Sequence, residues 1–205
     1  MKNRFVILDT HFGHENTWAK FKLADGSPLR PFTSTEEMDE TMVERWNAKV
    51  QPHDTVYHLG DVAIGRRHLE TVKRLNGKKR LVRGNHDHFD DKFYTEVGFE
   101  KLQGVSVWVD KFILSHIPLH PDSITNRFRV NVHGHTHGNE VTMDVVDPQG
   151  PPFDKVIDPR YLCVSVEHTN YEPLHFDEVE ARIQQRWKNA GYDGPAGYGN
   201  GSGPG

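Results

Sequence analysis

The stretch Phe5-Val6-Ile7-Leu8-Asp9-Thr10-His11 joins a short apolar run directly to a carboxylate and an imidazole. Four consecutive apolar residues without alternation are typical of a strand that is buried on both faces. Such strands form sheets covered by other layers, and ligands bind at the carboxyl ends of the strands. The stretch therefore predicts a buried strand over residues 5–8 that carries Asp9 and His11 to a ligand-binding edge.

The same pattern returns four times further along the chain. Each of four other short apolar runs ends in a carboxylate, an amide or an imidazole. The residues that follow these runs are, in order, Gly60-Asp61, Gly84-Asn85-His86-Asp87, Ser115-His116 and His133-Gly134-His135-Thr136-His137. Glycines beside these polar residues allow tight turns at strand ends. The sequence thus predicts one rim at which Asp, Asn and His side chains meet.

The intervening segments predict helices and further strands. Residues 35–50 predict a helix, because Met38, Met42, Trp46 and Val50 recur at every fourth position. The other predicted elements are strands at 55–59 and 80–82, a helix at 67–75, a hairpin of strands 105–109 and 112–114, strands at 129–132 and 161–166, and a terminal helix at 179–187. This order predicts an α/β fold with a second sheet behind the first.

Length and composition predict a single folded domain. The chain has 205 residues, with 25 Lys plus Arg against 29 Asp plus Glu, and its net charge is −4. We expect the domain to span residues 1–190 and a flexible tail to span 191–205, where glycine is abundant. The weakly acidic charge disfavours a protein that coats nucleic acid, because affinity for phosphate backbones comes mostly from basic charge.

Cysteine content and hydropathy predict the compartment. The single cysteine, Cys163, excludes an internal disulfide framework and a cysteine-rich zinc site. No apolar run reaches the roughly 18 residues of a membrane span, and the run at residues 5–8 is too short for a signal peptide. We therefore expect a cytoplasmic location and no membrane partner.

The polar side chains of the predicted rim form a mixed oxygen and nitrogen donor set without thiolate. Such donors suit Mn²⁺, Fe²⁺, Co²⁺, Ni²⁺ or Zn²⁺, and the set is too rich in histidine for Ca²⁺ or Mg²⁺. The donors also outnumber the needs of one ion. Two ions about 3.5–4 Å apart need a shared ligand, and a carboxylate can bridge them where a neutral imidazole cannot.

Five blocks of the chain resemble, in order and relative spacing, the signature blocks of the calcineurin-like metallophosphoesterase superfamily. The blocks are Asp9-x-His11, Gly60-Asp61, Gly84-Asn85-His86-Asp87, His116 and Gly134-His135-x-His137. The opening Asp9-Thr10-His11-Phe12-Gly13-His14 is most similar to the small bacterial and phage-type phosphoesterases. The resemblance implies a four-layer αββα sandwich, in which two packed mixed sheets are flanked by helices.

The resemblance also implies a role for each site residue. Two sets of residues resemble the ligands of a first and a second divalent ion, namely Asp9, His11 and His137, and Asn85, His116 and His135. Asp61 resembles the bridging carboxylate, and His86 resembles the general acid that contacts the phosphate. A hydroxide held by the two ions would attack phosphorus. Mn²⁺ is the expected ion, with Fe, Ni²⁺, Co²⁺ and Zn²⁺ as alternatives.

The expected substrate class follows from a comparison of the second block with that of the protein phosphatases in the same superfamily. Protein Ser/Thr phosphatases of the superfamily carry Gly-Asp-x-x-Asp-Arg-Gly, where this chain has Gly60-Asp61-Val62-Ala63-Ile64-Gly65. The resemblance therefore implies a phosphodiester or a small phosphomonoester, including nucleotide-like substrates. The predicted substrate contacts are His14, Arg66, Arg83 and Arg127. Specificity is expected in loops such as 17–33 and 118–127.

Two other functions stay open at this point. One is a nuclease or a 2′,3′-cyclic phosphodiesterase; the net charge of −4 disfavours nucleic acid as the substrate without excluding it. The other is a catalytically silent scaffold of the same fold, which would have substituted ligands or would lack His86. Since every predicted ligand and His86 are present, the scaffold ranks below the enzyme, and no protein partner is predicted.

Overall fold

The computed structural model of the protein describes residues 3–109, 111–124, 130–145, 154–192 and 194. The strands found in these ranges are β1 (Arg4–Ile7), β2 (Thr55–His58), β3 (Lys78–Val82), β4 (Phe99–Gln103), β5 (Ser106–Val109), β6 (Phe112–Ser115), β7 (Val130–His133), β8 (Thr142–Val145), β9 (Asp154–Ile157), β10 (Tyr161–Cys163) and β11 (Leu174–His175). The helices are α1 (Asn16–Ala19), α2 (Thr35–Lys49), α3 (Asp91–Glu96) and α4 (Phe176–Ala190), with 3₁₀ helices at Arg66–Arg74, Pro121–Ser123 and Val166–His168.

Two mixed β-sheets form the body of the fold. The first has the order β11-β1-β2-β3-β4, in which β11 is antiparallel to β1 and the other neighbours are parallel. The second has the order β10-β7-β6-β5, in which β5 is antiparallel to β6 and the other neighbours are parallel. Strands β8 and β9 pair separately as an antiparallel ribbon. The predicted pair of mixed sheets flanked by helices is confirmed.

Strand β1 lies between two apolar layers, which explains its unbroken apolar sequence. Phe5 and Ile7 point into the cluster that the outer helices cover, where Trp46 of α2 is also buried. Val6 and Leu8 point the other way, into the cluster between the two sheets. Successive side chains of a strand face opposite sides, so both faces of β1 must be apolar. The apolar side chains of β1 therefore all pack in the two clusters, and the polar side chains of the site come after the end of the strand.

Helix α2 forms as predicted, because its apolar positions recur once per turn on the buried face. Met38, Met42 and Trp46 are all buried against the first sheet. The Ser34 hydroxyl caps the helix by accepting from the Glu37 N–H at 3.0 Å. The Glu37 carboxylate accepts from the N–H and the hydroxyl of Thr33, just before the helix.

The helix predicted at 67–75 is present as the 3₁₀ helix Arg66–Arg74. Its apolar residues Leu69, Val72 and Leu75 are spaced by three, which matches the three residues per turn of a 3₁₀ helix better than the 3.6 of an α-helix. All three side chains are buried against the first sheet. The tighter helix keeps them on a single face.

The strand predicted at 161–166 is shorter than expected, because the chain leaves the second sheet after Cys163. The Val164 N–H still donates to the His133 carbonyl at 2.8 Å. Ser165 then forms an isolated parallel bridge with Leu8 of the first sheet. This crossing from one sheet to the other brings Ser165 to the end of β1.

The sequence did not predict several elements of the described ranges: α1, α3, β4, the β8–β9 ribbon, the two-residue strand β11 and the short 3₁₀ helices Pro121–Ser123 and Val166–His168. The predicted terminal helix is confirmed but longer, and it ends where Gly191 adopts a left-handed conformation with φ of 59°. Residues 110, 125–129 and 195–205, which include parts of the predicted hairpin turn and tail, lie outside the described residues. None of the helices in the described ranges has the length and apolar content needed to cross a membrane.

Candidate metal centre

The predicted site residues meet where strand ends of both sheets come together. Asp9 follows β1, Asp61 follows β2, and Asn85 follows β3, while His116 and His135 follow β6 and β7 of the other sheet. The two sheets are joined at this rim by the His135 N–H, which donates to Asp9 Oδ2 at 2.9 Å. The single rim predicted from the sequence is therefore built from strand ends of both sheets.

Asp61 lies in the middle of the site. Its Oδ1 accepts from the His86 N–H at 2.9 Å. Its Oδ2 lies 3.5 Å from the His11 Nε2 and 3.5 Å from the His116 Nε2. One carboxylate oxygen is thus equally near to a histidine of each predicted ligand set, which is the placement that a shared ligand requires.

His116 and Asn85 carry the second half of the site. The His116 Nδ1 lies 3.0 Å from the Leu59 carbonyl, which can only accept, so this nitrogen donates. In the neutral ring the lone pair is then on Nε2, which lies 2.9 Å from Asn85 Oδ1 and 3.2 Å from the His135 Nδ1. Electron-pair donors therefore converge on this point, an arrangement that a cation would stabilise.

Asp9 carries the first half together with His11. Ser165 donates to Asp9 Oδ2 at 2.6 Å, whereas Asp9 Oδ1 and the His11 Nδ1 are buried without a hydrogen-bond partner among the described residues. A buried polar atom left without a partner costs free energy unless a ligand satisfies it. Ligand atoms of two trios, Asp9-His11-Asp61 and Asp61-His116-His135, lie within 4.8 Å of one another. The residues present fit divalent ions.

The protonation states suit the same interpretation. Burial, with a smaller contribution from the Arg30 charge, lowers the pKa of His11 well below its usual value and that of His14 to about 4. Burial raises the pKa of Asp61, which also lies close to the carboxylates of Asp9 and Asp87. Neutral imidazole is the form that binds metal, and crowded buried carboxylates are stabilised by a cation.

The backbone of the site is held in a conformation that L residues rarely adopt. Asp9, His11, Asp61, His135 and His137 all have φ values between 48° and 65°. Left-handed residues other than glycine cost about 1–3 kcal/mol each and cluster at functional sites. Gly84 permits a close approach of two loops, because a Cβ there would lie 2.2 Å from Asp61 Oδ1.

A buried ion-pair network, which was not predicted from the sequence, supports His137. The Arg30 side chain is fully buried and donates to the carbonyls of Asp9 and Thr10 at 2.5 and 2.9 Å, and to Glu167 Oε1 at 2.8 Å. The same Glu167 oxygen lies 3.3 Å from the His137 Nδ1. Burial by itself raises the pKa of Glu167, but Arg30 and His137 outweigh it and hold this pKa at about 2. Glu167 thereby orients the His137 ring through its Nδ1.

Replacing Glu167 by glutamine is expected to weaken metal binding by roughly 10–100-fold, the usual cost of losing an outer partner of a ligating histidine. The amide keeps the shape but removes the charge that pairs with Arg30 and His137. Titration of metal-stripped protein with Mn²⁺ measures the effect. Glu172→Gln, which removes a carboxylate of a partly exposed pair with Lys49, is the matched control. Equal affinities in the two variants would contradict this role.

Asp87 is a further residue of the site to which the sequence analysis assigned no role. Its Oδ2 accepts from the N–H groups of Asp61 and Gly84 at 2.7 and 2.9 Å, and its Oδ1 accepts from the Val62 N–H at 3.1 Å. One carboxylate therefore fixes the loops after β2 and β3 relative to each other. Its place at the end of the block Gly84-Asn85-His86-Asp87 was the only indication in the sequence.

Of the four predicted substrate contacts, the structure places only some near the candidate metal centre. The His14 ring lies 5.3 Å from that of His11 and 6.4 Å from that of His86, so this residue belongs to the site. Arg66 instead lies over the Phe93 ring at 3.7 Å. Arg83 donates to the carbonyls of Asp87 and Phe89 and also pairs with Asp91, which ties it to its own loop. Arg127 lies outside the described residues.

His86 and His137 complete the cluster around His11. Their ring centroids lie 5.3 and 5.4 Å from that of His11. His86 is only partly buried, whereas His11 is almost completely buried. The structure therefore brings together every predicted metal ligand, with His86 beside them on the solvent side.

Fold and site together define an α/β protein of two mixed sheets, with a candidate metal centre of carboxylate, amide and imidazole donors where strand ends of both sheets meet. The chain belongs to the calcineurin-like phosphoesterase superfamily, since residues 6–157 match the model of that superfamily domain. The resemblance noted in the five blocks is thereby confirmed.

Individual proteins show the same likeness. The uncharacterized protein MJ1445 of Methanocaldococcus jannaschii is 33% identical over 196 residues, which cover 90% of this chain and 93% of the relative. The Gene 66 protein of Mycobacterium phage L5 is 34% identical over 92 residues, or 42% of this chain and 41% of the relative. The crystal structure of the Aquifex aeolicus protein of unknown function AQ665 superimposes with a TM-score of 0.59 at 23% identity, covering 88% of this chain and 99% of that one. This last likeness concerns the fold.

Proposed function

We propose that the protein is a phosphoesterase that uses two divalent ions to hydrolyse phosphodiester or small phosphomonoester bonds. The observation that carries the proposal is the position of Asp61 Oδ2, at 3.5 Å from a histidine of each ligand set. Asp9, His11 and His137 would hold one ion, and Asn85, His116 and His135 the other. Ions at such a centre supply activated water and offset charge on phosphate oxygens.

The chain's own residues would position the substrate and move the proton. The His86 ring is partly exposed and lies 5.3 Å from that of His11, and we propose that it contacts the ester oxygen of a phosphate held at the centre. An imidazole can donate a proton near neutral pH. We therefore assign to His86 the role of the acid that protonates the leaving alkoxide. The Asp61 carboxylate holds the His86 backbone through its N–H, which couples the position of the acid to the centre.

The ion preference follows from the donor set. Imidazole and carboxylate donors suit Mn²⁺ and also accept Fe²⁺, Co²⁺, Ni²⁺ and Zn²⁺. No donor in the site is a thiolate. The one cysteine, Cys163, is buried and forms hydrogen bonds with the Ser165 hydroxyl and the His137 carbonyl. We propose Mn²⁺ as the ion that supports activity.

The test is hydrolysis of bis-p-nitrophenyl phosphate and of p-nitrophenyl phosphate by metal-stripped protein, with Mn²⁺, Ni²⁺, Co²⁺, Zn²⁺ or Mg²⁺ added back singly. We expect no turnover without metal and restored turnover with Mn²⁺. A faster diester reaction would place the physiological substrate among phosphodiesters, and a faster monoester reaction among small monoesters. Folded protein that binds metal but turns over neither compound would overturn the proposal and favour a scaffold.

A further inference from the structure

A groove leads away from the candidate metal centre, and it shares His135 and His137 with that centre. It has a volume of about 640 Å³, and its floor is formed by residues 135–139, which include His135 and His137. Its other wall is formed by residues 20–24 and Leu29. Sites for small molecules have volumes of about 300–1,000 Å³. The groove therefore suits a molecule that reaches from the metal centre along this wall.

The wall of the groove is an ordered hairpin. The Leu23 N–H donates to the Ser27 carbonyl at 2.9 Å, and the Leu29 N–H donates to the Phe21 carbonyl at 2.8 Å. Arg30 follows the hairpin directly and donates hydrogen bonds to the carbonyls of Asp9 and Thr10. The hairpin is therefore fixed directly to the loop that carries the first predicted ligands.

The hairpin also touches the floor of the groove. A Cβ on Gly138 would lie 2.4 Å from Leu23 Cδ2, so the Leu23 side chain packs directly on this glycine. Gly138 is the neighbour of His137 in the chain. The groove is thus closed at this side by a contact between Leu23 and Gly138, one residue away from a predicted metal ligand.

Phe21 presents an aromatic ring to the groove. The side chain is 45% exposed, although its edge lies against the His14 ring at a centroid distance of 5.6 Å. His14 in turn lies next to His11 and His86. The exposed ring is therefore connected, through the His14 ring, to the histidines of the candidate metal centre.

The charge of the groove is opposite to that of the whole protein. The chain has a net charge of −4, but Lys20 and Lys22 line the groove, and none of the residues lining it is acidic. Both lysines are exposed and form no ion pair with any described residue. A groove of this sign attracts an anion beyond the phosphate that the metal centre would hold.

We propose that this groove recognises nucleotides. The Phe21 ring stacks on the base, and Lys20 and Lys22 bind a phosphate beyond the one placed at the metal centre. An exposed aromatic ring and two cations in one groove fit a nucleoside carrying more than one phosphate better than they fit a simple alkyl phosphate. This inference rests on the proposed function and names its substrate class.

The test is equilibrium binding, measured by calorimetry at fixed free Mn²⁺, of the non-hydrolysable adenosine 5′-(α,β-methylene)diphosphate and of inorganic pyrophosphate. Wild-type protein should bind the nucleotide analogue more tightly than pyrophosphate. Phe21→Leu, which keeps apolar bulk without a ring face, should weaken binding of the analogue by roughly 5–150-fold, the range that base stacking supplies. Its affinity for pyrophosphate should not change.

The lysines are tested with the double variant Lys20→Gln and Lys22→Gln. We expect weaker binding of both compounds and a smaller dependence of affinity on salt. Lys101→Gln, on the exposed side of β4, is the matched control and should bind as the wild type does. Equal wild-type affinities for the analogue and pyrophosphate, or an unchanged affinity in Phe21→Leu, would overturn the proposal. These binding experiments measure no turnover, so their outcome is independent of catalysis. The proposed function is tested separately, by hydrolysis of the p-nitrophenyl esters.

Discussion

Replacement of Asp61 by asparagine is expected to abolish binding of both metal ions and, with it, phosphoesterase turnover. The amide leaves a single oxygen, while the present carboxylate uses Oδ1 to accept from the His86 N–H and directs Oδ2 at His11 and His116. An amide nitrogen does not ligate a divalent ion, and it adds no negative charge to offset two cations. We expect metal affinity to fall by more than the roughly 10–100-fold seen for outer partners of ligands.

Metal content after dialysis at fixed free Mn²⁺, measured by elemental analysis, tests this prediction together with turnover of bis-p-nitrophenyl phosphate. The matched control is Asp122→Asn, since the Asp122 carboxyl is 93% exposed and lies in a different loop. The control should keep wild-type metal content and rate. An Asp61→Asn protein that retains two ions per chain would show that Asp61 is not the shared ligand.

The second large effect is expected for His86→Ala, which should keep both ions and lose roughly 10²–10⁴-fold in rate. His86 takes part in neither of the closely spaced donor trios among the described residues, yet its ring lies 5.3 Å from that of His11. Removal of the ring therefore leaves the metal donors in place and takes away the proton donor. The loss should be largest for alkyl esters and small for p-nitrophenyl esters, because p-nitrophenolate leaves without protonation.

Rates for a p-nitrophenyl ester and an alkyl ester, measured on the same metal-loaded preparation, provide the test. His53→Ala is the control, because the His53 side chain is 68% exposed and lies beside Asp54, away from the rim. Equal losses for the two leaving groups would remove His86 from the role of acid and leave it only a phosphate contact. Loss of metal in His86→Ala would make it a ligand instead.

Local sequence was enough to predict the elements that decide the fold. The apolar run of residues 5–8 predicted a buried strand and the four-residue spacing of Met38, Met42 and Trp46 predicted a helix, and both elements are found. The run at 161–166 was predicted too long, because alternation of apolar residues continues beyond the point at which Val164 and Ser165 cross to the first sheet. Local periodicity does not record which sheet a residue joins.

The chemistry of the site was also readable from the sequence, because each donor directly follows a strand. Asp9, Asp61 and His116 were expected at strand ends, and the structure places them within one cluster. The left-handed conformation of Asp9 and Asp61, with φ of 56° and 55°, had no such indication. The loops that contain these residues are fixed by hydrogen bonds to distant parts of the chain, such as those from the Asp9 N–H to the Gly60 carbonyl and from the His135 N–H to Asp9 Oδ2.

The sequence by itself determined the kinds of donors, their order along the chain and the superfamily that they indicate. Only the tertiary structure decided what holds and surrounds them. Arg30 and Glu167 are 137 residues apart in the chain, yet they form one buried pair that orients His137. Phe21 meets the site only because the hairpin after α1 folds onto Gly138. Contacts of this kind arise from packing between distant segments, so no local spacing or composition encodes them.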